Sequence, residues 1–303
     1  MSEKIKWQKK MLKYLLKGVF QPDAASKLIE TLKKLALDTR NNPEKNPHNL
    51  QIFFQYAQAA NFIANLDPLQ NVLEIGRGYS TMLLAFFKKP ETRLFSIDAK
   101  PIEDYDIADP LRFIENDVDF INGFTVTDAE MRSFYNRESK DNFLDTDASK
   151  IKDAVPEYIR PDSGKYAKAL GLNPLKNEFT KSCLDTLFDG QKPRCLGALF
   201  PEILTREMRY AETQGPGVLD GLLKKVQVLD AVFLDCGEFS SMIEWMKVKD
   251  RIRKHGLAIF HDIYFPKSVK NFLVCAAISA SKDWETLYQD ATTPQGLLIV
   301  RRV

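Results

Sequence analysis

The sequence predicts an α/β fold: a mostly parallel sheet closed by a C-terminal antiparallel hairpin, with N-terminal helices before it and a helical insertion within it. Three observations carry this. Val72-Leu73-Glu74-Ile75 has strand character, breaks at Gly76-Arg77-Gly78, and resumes at helical spacing from Ser80-Thr81 to Phe87. Val228 to Asp235 and Leu257 to Phe260 read as buried strands joined by an amphipathic helix, the pattern of a parallel crossover. Trp284 to Gln289 and Gln295 to Arg301 read as two strands joined by Asp290 to Pro294.

The 303 residues suffice for one large α/β domain with additions. With 44% apolar and 28% charged residues the chain reads as globular, and a formal charge of +2 gives no global field for nucleic acid. Cys183, Cys195, Cys236 and Cys275 form no C-x-x-C pair, which argues against a zinc knuckle or redox dithiol. No run approaches the roughly 18 apolar residues of a membrane span, and the lysine-rich start lacks a secretory signal's apolar core. A cytoplasmic protein with no nucleic-acid partner is expected.

Along the chain, six lysines against Glu3 alternate with Trp7, Met11, Leu12, Leu15, Leu16 and Phe20 in residues 1–20, an amphipathic basic helix. Its lysine face is a solvated surface or a contact for an anionic one. Further helices are expected over 24–39 and 48–66, so residues 1–66 form a helical region ahead of a nucleotide-binding domain at 67–303. The second strand, Arg93 to Asp98, ends in an acid 20 residues beyond Gly78. Such an acid is placed to accept hydrogen bonds from a ribose. The third strand is expected at Phe120 to Val126. Residues 128–200 are too long and polar for one crossover, with helical pieces near 128–138, 164–171 and 176–188. They read as a substrate lid or as an oligomerisation arm, and a homo-oligomer stays open on the second reading. Helices follow at 205–210 and 216–226, then one from Phe239 to Lys254, capped at His255-Gly256.

Both Asp235 and Asp262 end parallel strands, so they reach the sheet edge where Gly76 and Gly78 lie. Two carboxylates there suit a hard divalent cation such as Mg²⁺, which could lower the pKa of a substrate hydroxyl. Ordinary turn capping is the competing role.

With its start at Glu74-Ile75-Gly76-Arg77-Gly78-Tyr79-Ser80 and the strand ends Phe233-Leu234-Asp235 and Phe260-His261-Asp262, the chain resembles the class I S-adenosylmethionine (SAM) methyltransferases. It is most similar to the cation-dependent small-molecule O-methyltransferases of the catechol and caffeoyl-CoA kind. The resemblance covers about 68–127 and 217–303. It implies a Rossmann-like methyltransferase sheet, SAM as cofactor and a small-molecule acceptor methylated at a hydroxyl. It also implies that Glu74, Gly76, Gly78, Ser80, Asp98 and Asn122 line the cofactor and that Asp235 and Asp262 are metal ligands. The family often carries a second acid or an asparagine after the latter; Ile263 stands there, and His261 could substitute. The family's base, lysine or histidine three residues past the first acid, is replaced by Glu238. An unperturbed carboxylate is a weak base at a pKa of roughly 4.3. Glu238 and His261 are therefore the catalytic candidates, and the alternative is a SAM-fold binding or scaffold protein without turnover. Thr81, where a dinucleotide fingerprint needs its third glycine, argues against a nicotinamide enzyme.

Overall fold

The structure, a computed structural model, describes residues 49–105, 107–135, 201–214, 217–263, 270–271, 274–275, 278, 281–290 and 296–303. The helices expected at 1–20 and 24–39, the insertion from 136 to 200, Cys183 and Cys195 lie outside them.

Seven strands and seven α-helices are described. In chain order they are α1 (Asn49–Ala64), β1 (Asn71–Ile75), α2 (Tyr79–Phe87), β2 (Arg93–Asp98), α3 (Ala108–Phe113), β3 (Asp119–Asn122) and α4 (Asp128–Tyr135). Then come α5 (Pro201–Thr213), α6 (Val218–Lys225), β4 (Leu229–Leu234), α7 (Ser240–Val248), β5 (Ile252–His261), β6 (Trp284–Asp290) and β7 (Leu297–Arg302). They build one sheet in the order β3-β2-β1-β4-β5-β7-β6. The first five strands run parallel, and β7 lies antiparallel between β5 and β6.

Alternation along the strands sorts the core into two layers. Leu73, Ile75, Phe95, Ile97, Val232, Leu234 and Phe260 face α4 to α7. Val72, Leu94, Ala231, Phe233 and Ile259 face α1 and α2. Because both faces are covered, β4 is buried at every position, as a central parallel strand requires. Each fully buried phenylalanine, such as Phe233 or Phe260, contributes on the order of 2–3 kcal/mol.

Two expected boundaries are corrected. The third strand stops at Asn122, because the next carbonyls serve a helix instead. Phe124 and Thr125 accept the Val218 and Leu219 N–H groups at 3.0 and 3.3 Å, which satisfies the start of α6. The helix expected to reach Lys254 ends at Val248, followed by a 3₁₀ turn at Lys249–Arg251. Ile252 already belongs to β5 and pairs with Leu229; the next pair is Ala231 with Leu257, so the residues between them bulge. His255, at φ 64°, is the left-handed residue of that bulge and not part of a helix cap.

The seam between β1 and β4 is the tightest point. Gly76 has φ +97°, and a Cβ built on it would lie 1.8 Å from the Asp235 carbonyl oxygen. Gly78 differs: at φ 174° it is extended, and a Cβ there meets nothing within 4 Å. Gly76→Ala should therefore lose on the order of 3 kcal/mol or more, whereas Gly78→Ala should change stability by about 0.5 kcal/mol or less. Denaturant unfolding of the two variants checks this; equal midpoints would show that the seam tolerates a side chain.

Candidate active site

The strand ends deliver their residues to one rim. Asp235 N–H donates to the Ile75 carbonyl at 2.8 Å, and Gly76 N–H to Ile97 at 2.9 Å. The turn after β1 is thereby tied to both neighbouring strands. Beside it opens a cavity of about 230 Å³. Gly76, Asp98, Phe124, Glu207, Tyr210 and Cys236 stand in its walls. Tyr210 stacks on Phe124, ring centres 6.3 Å apart, and carries α5 over the opening.

Glu74 lies under the glycine turn, fully buried. It accepts hydrogen bonds from Ser80 Oγ (2.6 Å), Thr81 Oγ1 (2.6 Å) and Ser96 Oγ (2.8 Å). Burial raises its carboxyl to about 7 against the lowering pull of those three hydroxyls. The Ser80 side chain is thus committed inward, so only its main chain can meet a ligand. Thr81 Oγ1 also accepts from Gly78 N–H at 2.9 Å. The residue that departs from a dinucleotide fingerprint therefore serves to hold the turn.

Arg77 was not singled out by sequence, yet it locks the turn from the side. Its buried guanidinium donates to Asn122 Oδ1 at 2.8 Å and to the Ser96 and Ile121 carbonyls at 3.1 Å, and it lies 4.7 Å from the Phe120 ring centre. Asn122, expected beside a cofactor, gives its side-chain oxygen to that lock. Asp98 accepts main-chain N–H bonds from Arg77 (2.8 Å) and Lys100 (2.7 Å), one on each carboxylate oxygen.

With the glycine turn, the acid ending β2 and the antiparallel β7 between β5 and β6 all in one sheet, the architecture is decided. The fold is that of the class I methyltransferases. No family model and no curated protein matches the chain. Among solved structures, the O-methyltransferase from Bacillus cereus in complex with S-adenosylhomocysteine (SAH) is similar over 97% of each chain, at 12% identity and a TM-score of 0.41. The O-methyltransferase TomG from Streptomyces achromogenes, solved with SAM, is similar over 100% of each chain, at 14% identity and a TM-score of 0.36.

Behind the rim lies a buried polar knot. Asp235, Phe233 and His261 share the sheet face that meets α1, so Tyr56 of α1 reaches them. Tyr56 Oη donates to Asp235 Oδ2 at 2.8 Å, and its ring centre is 4.9 Å from that of His261. Asp262 turns through φ 57° and faces Asp235. Between the two carboxylates stands Lys270, whose Nζ donates to Asp235 Oδ1 and Asp262 Oδ2, each at 2.8 Å. His261 Nδ1 is 3.4 Å from both acids. Burial alone would raise the Asp235 carboxyl, but the Lys270 ammonium and His261 hold it well below the usual range. Burial opposes the charged forms of Lys270 and His261 too, yet the paired carboxylates keep both pKa values raised.

Sequence reasoning thus brought Asp235, Asp262, His261 and Gly76 to one edge but missed Tyr56, Lys270, Glu207 and Glu244. His261, a catalytic candidate by sequence, is 3% exposed and stands outside the cavity's walls. Glu238 is not in the cavity's walls either, but it follows Gly237, which is, and its Oε2 accepts the Lys270 main-chain N–H at 3.0 Å. Glu207 of α5 caps α7 from outside, accepting N–H bonds from Glu238, Phe239 (2.9 Å) and Ser240 (3.0 Å). A carboxylate suits those orphan donors at a helix start. Burial raises Glu207 to about 7. Glu244, also raised by burial, accepts from Thr125 Oγ1 and Cys236 Sγ.

These raised carboxyls set a pH dependence. The folded chain holds the Glu74 proton up to about 7, the unfolded chain only to about 4.5. Its stabilising share is full below pH 4.5 and is lost as pH rises through 7, because folding then carries a bare buried carboxylate. The difference amounts to about 3 kcal/mol. Between pH 5 and 8 the melting temperature should fall, and Glu74→Gln should remove roughly 5 °C of that fall. Thermal melts of both proteins across that range test it; parallel curves would assign the loss elsewhere.

Proposed function

We propose that the chain is a SAM-dependent methyltransferase acting on a hydroxyl of a small-molecule acceptor. The observation that carries this reading is the position of the cavity. The chain runs outward from β1 through β2 to β3, then returns to lay β4 on β1's other side. The crevice beyond the carboxyl ends of β1 and β4 is therefore the topological switch point, where open α/β sheets bind ligands. Ile75 and Gly76 wall the cavity from β1, and Cys236 and Gly237 from β4.

The cofactor follows from the chemistry around it. A carboxylate has about four lone-pair directions, and Asp98 gives one on each oxygen to Arg77 and Lys100. Tyr105 also hydrogen-bonds to this carboxylate, and the acceptor direction that remains can take a ribose hydroxyl of an adenosine. Gly76 and the uncrowded Gly78 leave main chain open to the methionine part, with Glu74 and Ser80 bracing the turn beneath. Gly123, Phe124 and Thr125, just past Asn122, flank the adenine. The Asn122 side chain acts one step removed, by holding Arg77.

The transfer itself is an in-line displacement: the acceptor oxygen bonds to the methyl carbon, the carbon–sulfur bond breaks, and the acceptor proton leaves. The protein contributes alignment and a place for that proton. Glu238, at the turn next to Gly237, is the group we assign to take it. His261, shut behind Tyr56, positions Asp235 and Asp262 and does not touch the acceptor.

A divalent ion, implied by the family resemblance, does not fit the knot as it stands. Asp235, His261 and Asp262 do bring donor atoms within 4.8 Å of one another. Yet Asp235 Oδ1 and Asp262 Oδ2 already hold the Lys270 ammonium and Asp235 Oδ2 the Tyr56 hydroxyl; Asp262 Oδ1 and the two His261 nitrogens are left without a hydrogen bond, too few oxygens for a hard divalent ion.

Calorimetric titration with SAM and SAH tests the reading. Asp98→Ala should weaken SAH by at least about tenfold, the loss of hydrogen bonds to a charged acceptor. Glu238→Gln should leave SAH affinity within about twofold and cut methyl transfer to a pool of phenolic and alcoholic acceptors by roughly a hundredfold. Wild-type protein that takes up neither nucleoside would end the methyltransferase reading.

A further inference from the structure

We infer that Lys270 is the resident cation of the two-aspartate rim, and that this chain works without a divalent metal. The inference rests on the methyltransferase reading for its function, but its structural content stands by itself.

The ammonium is held by more than its two ion pairs. Its main-chain N–H donates to Glu238 Oε2 at 3.0 Å. Its carbonyl accepts from Ser241 Oγ, at the start of α7. The next residue, Asn271, is fully buried and donates its amide to the Leu234 carbonyl at 3.1 Å and the His261 carbonyl at 2.6 Å. Those carbonyls belong to the last residues of β4 and β5. Asn271 thus clips together the two strands that carry the aspartates, and the same clip sets Lys270 between them. A side chain that reached an acidic patch by chance would not have its own backbone tied on both sides.

Geometry and charge agree with this. Two N⁺–H···O⁻ contacts of 2.8 Å have the length of charge-assisted bonds. The remaining Asp235 oxygen, Oδ2, takes the Tyr56 hydroxyl at 2.8 Å. Both oxygens of Asp235 are therefore engaged by donors from this chain, and a dication would have to expel an ammonium buried beside it. Two adjacent carboxylates only 13% and 17% exposed favour a positive partner, and the chain supplies it covalently. Lewis-acid activation of the acceptor then falls away, and proton removal is left to Glu238, which the same lysine's backbone orients.

Manganese binding followed by electron paramagnetic resonance decides the matter without an acceptor. Wild-type protein should leave the free Mn²⁺ signal unchanged at millimolar concentration. Lys270→Ala, which bares the two carboxylates, should bind Mn²⁺ at least about tenfold more tightly than wild type. Lys270→Arg, which keeps the charge, should fold and still exclude the ion, and it carries the test if the alanine variant does not fold. Methyl transfer by wild type should ignore EDTA. Tight Mn²⁺ uptake by wild type that Asp235→Asn abolishes would overturn the inference, as would a folded Lys270→Ala that gains no affinity for the ion. SAH titrated into the same preparations reports separately on the methyltransferase reading: its failure to bind would sink that reading and leave the Mn²⁺ result to judge Lys270.

Discussion

The structure depends on the close approach of two main chains, Gly76 against the carbonyl of Asp235. That contact is what lets β1 and β4 end side by side without a side chain between them. Every feature of the rim follows. The strand order reverses there, so the crevice opens there. Asp235 is aimed away from the cavity toward α1, because the residue after Leu234 points to the face that Phe233 faces. The turn itself has a conformation open to glycine and few other residues, so one position joins fold and site.

Around that seam the chain buries more negative groups than positive ones, and it resolves them in two ways. Glu74 meets three hydroxyls, and Glu207 meets three main-chain N–H groups. Neither faces a full counter-charge, so burial prevails and both carboxyls are raised to about 7. Asp235 has the Lys270 ammonium, and its carboxyl moves the other way. At Glu74 and Glu207 the hydrogen bonds lower the carboxyl less than burial raises it, whereas at Asp235 the added cation outweighs burial. The knot behind the rim is therefore charged by construction, whereas Glu74 and Glu207 can take up a proton near neutrality.

What the sequence made legible was periodic or punctuated. Strands β1, β2, β4, β5 and the hairpin stand out as apolar runs bounded by glycine or an acid, and the parallel crossover alone brings Asp235 and Asp262 to one edge. Ile252 to Gly256 defeated the same reasoning. Arg253, Lys254 and His255 look like the polar end of a helix, while in fact Ile252 pairs with Leu229 and Arg253 is drawn onto Asp230. A bulge has no period of its own, so a helix was extended across it. The resemblance puts Ser80 along the cofactor, while in the structure three hydroxyls converge on Glu74 and take the Ser80 side chain inward. Such a convergence spans β1, α2 and β2, and no local window contains it.

The residues that sequence missed share a different cause. Tyr56, Glu207 and Lys270 arrive from segments with no motif, and each is functional only through what it meets. Strand alternation does constrain which segment can meet which acid. Asp235 and His261 point to the α1 face, and among the described residues Asp235 finds its side-chain partners in α1 and in the chain after β5. Within the segment after β5 the sequence places Lys267 and Lys270 before Asn271. A half-buried aspartate pair on parallel neighbours favours positive charge, and a lysine within reach of the strand end supplies it without capturing a free ion from solution. Seen from that side, Ile263 adds no oxygen donor beside Asp262, and Lys270 stands between the two acids. A rim with fewer oxygen donors for a metal is the rim that can be closed by an ammonium.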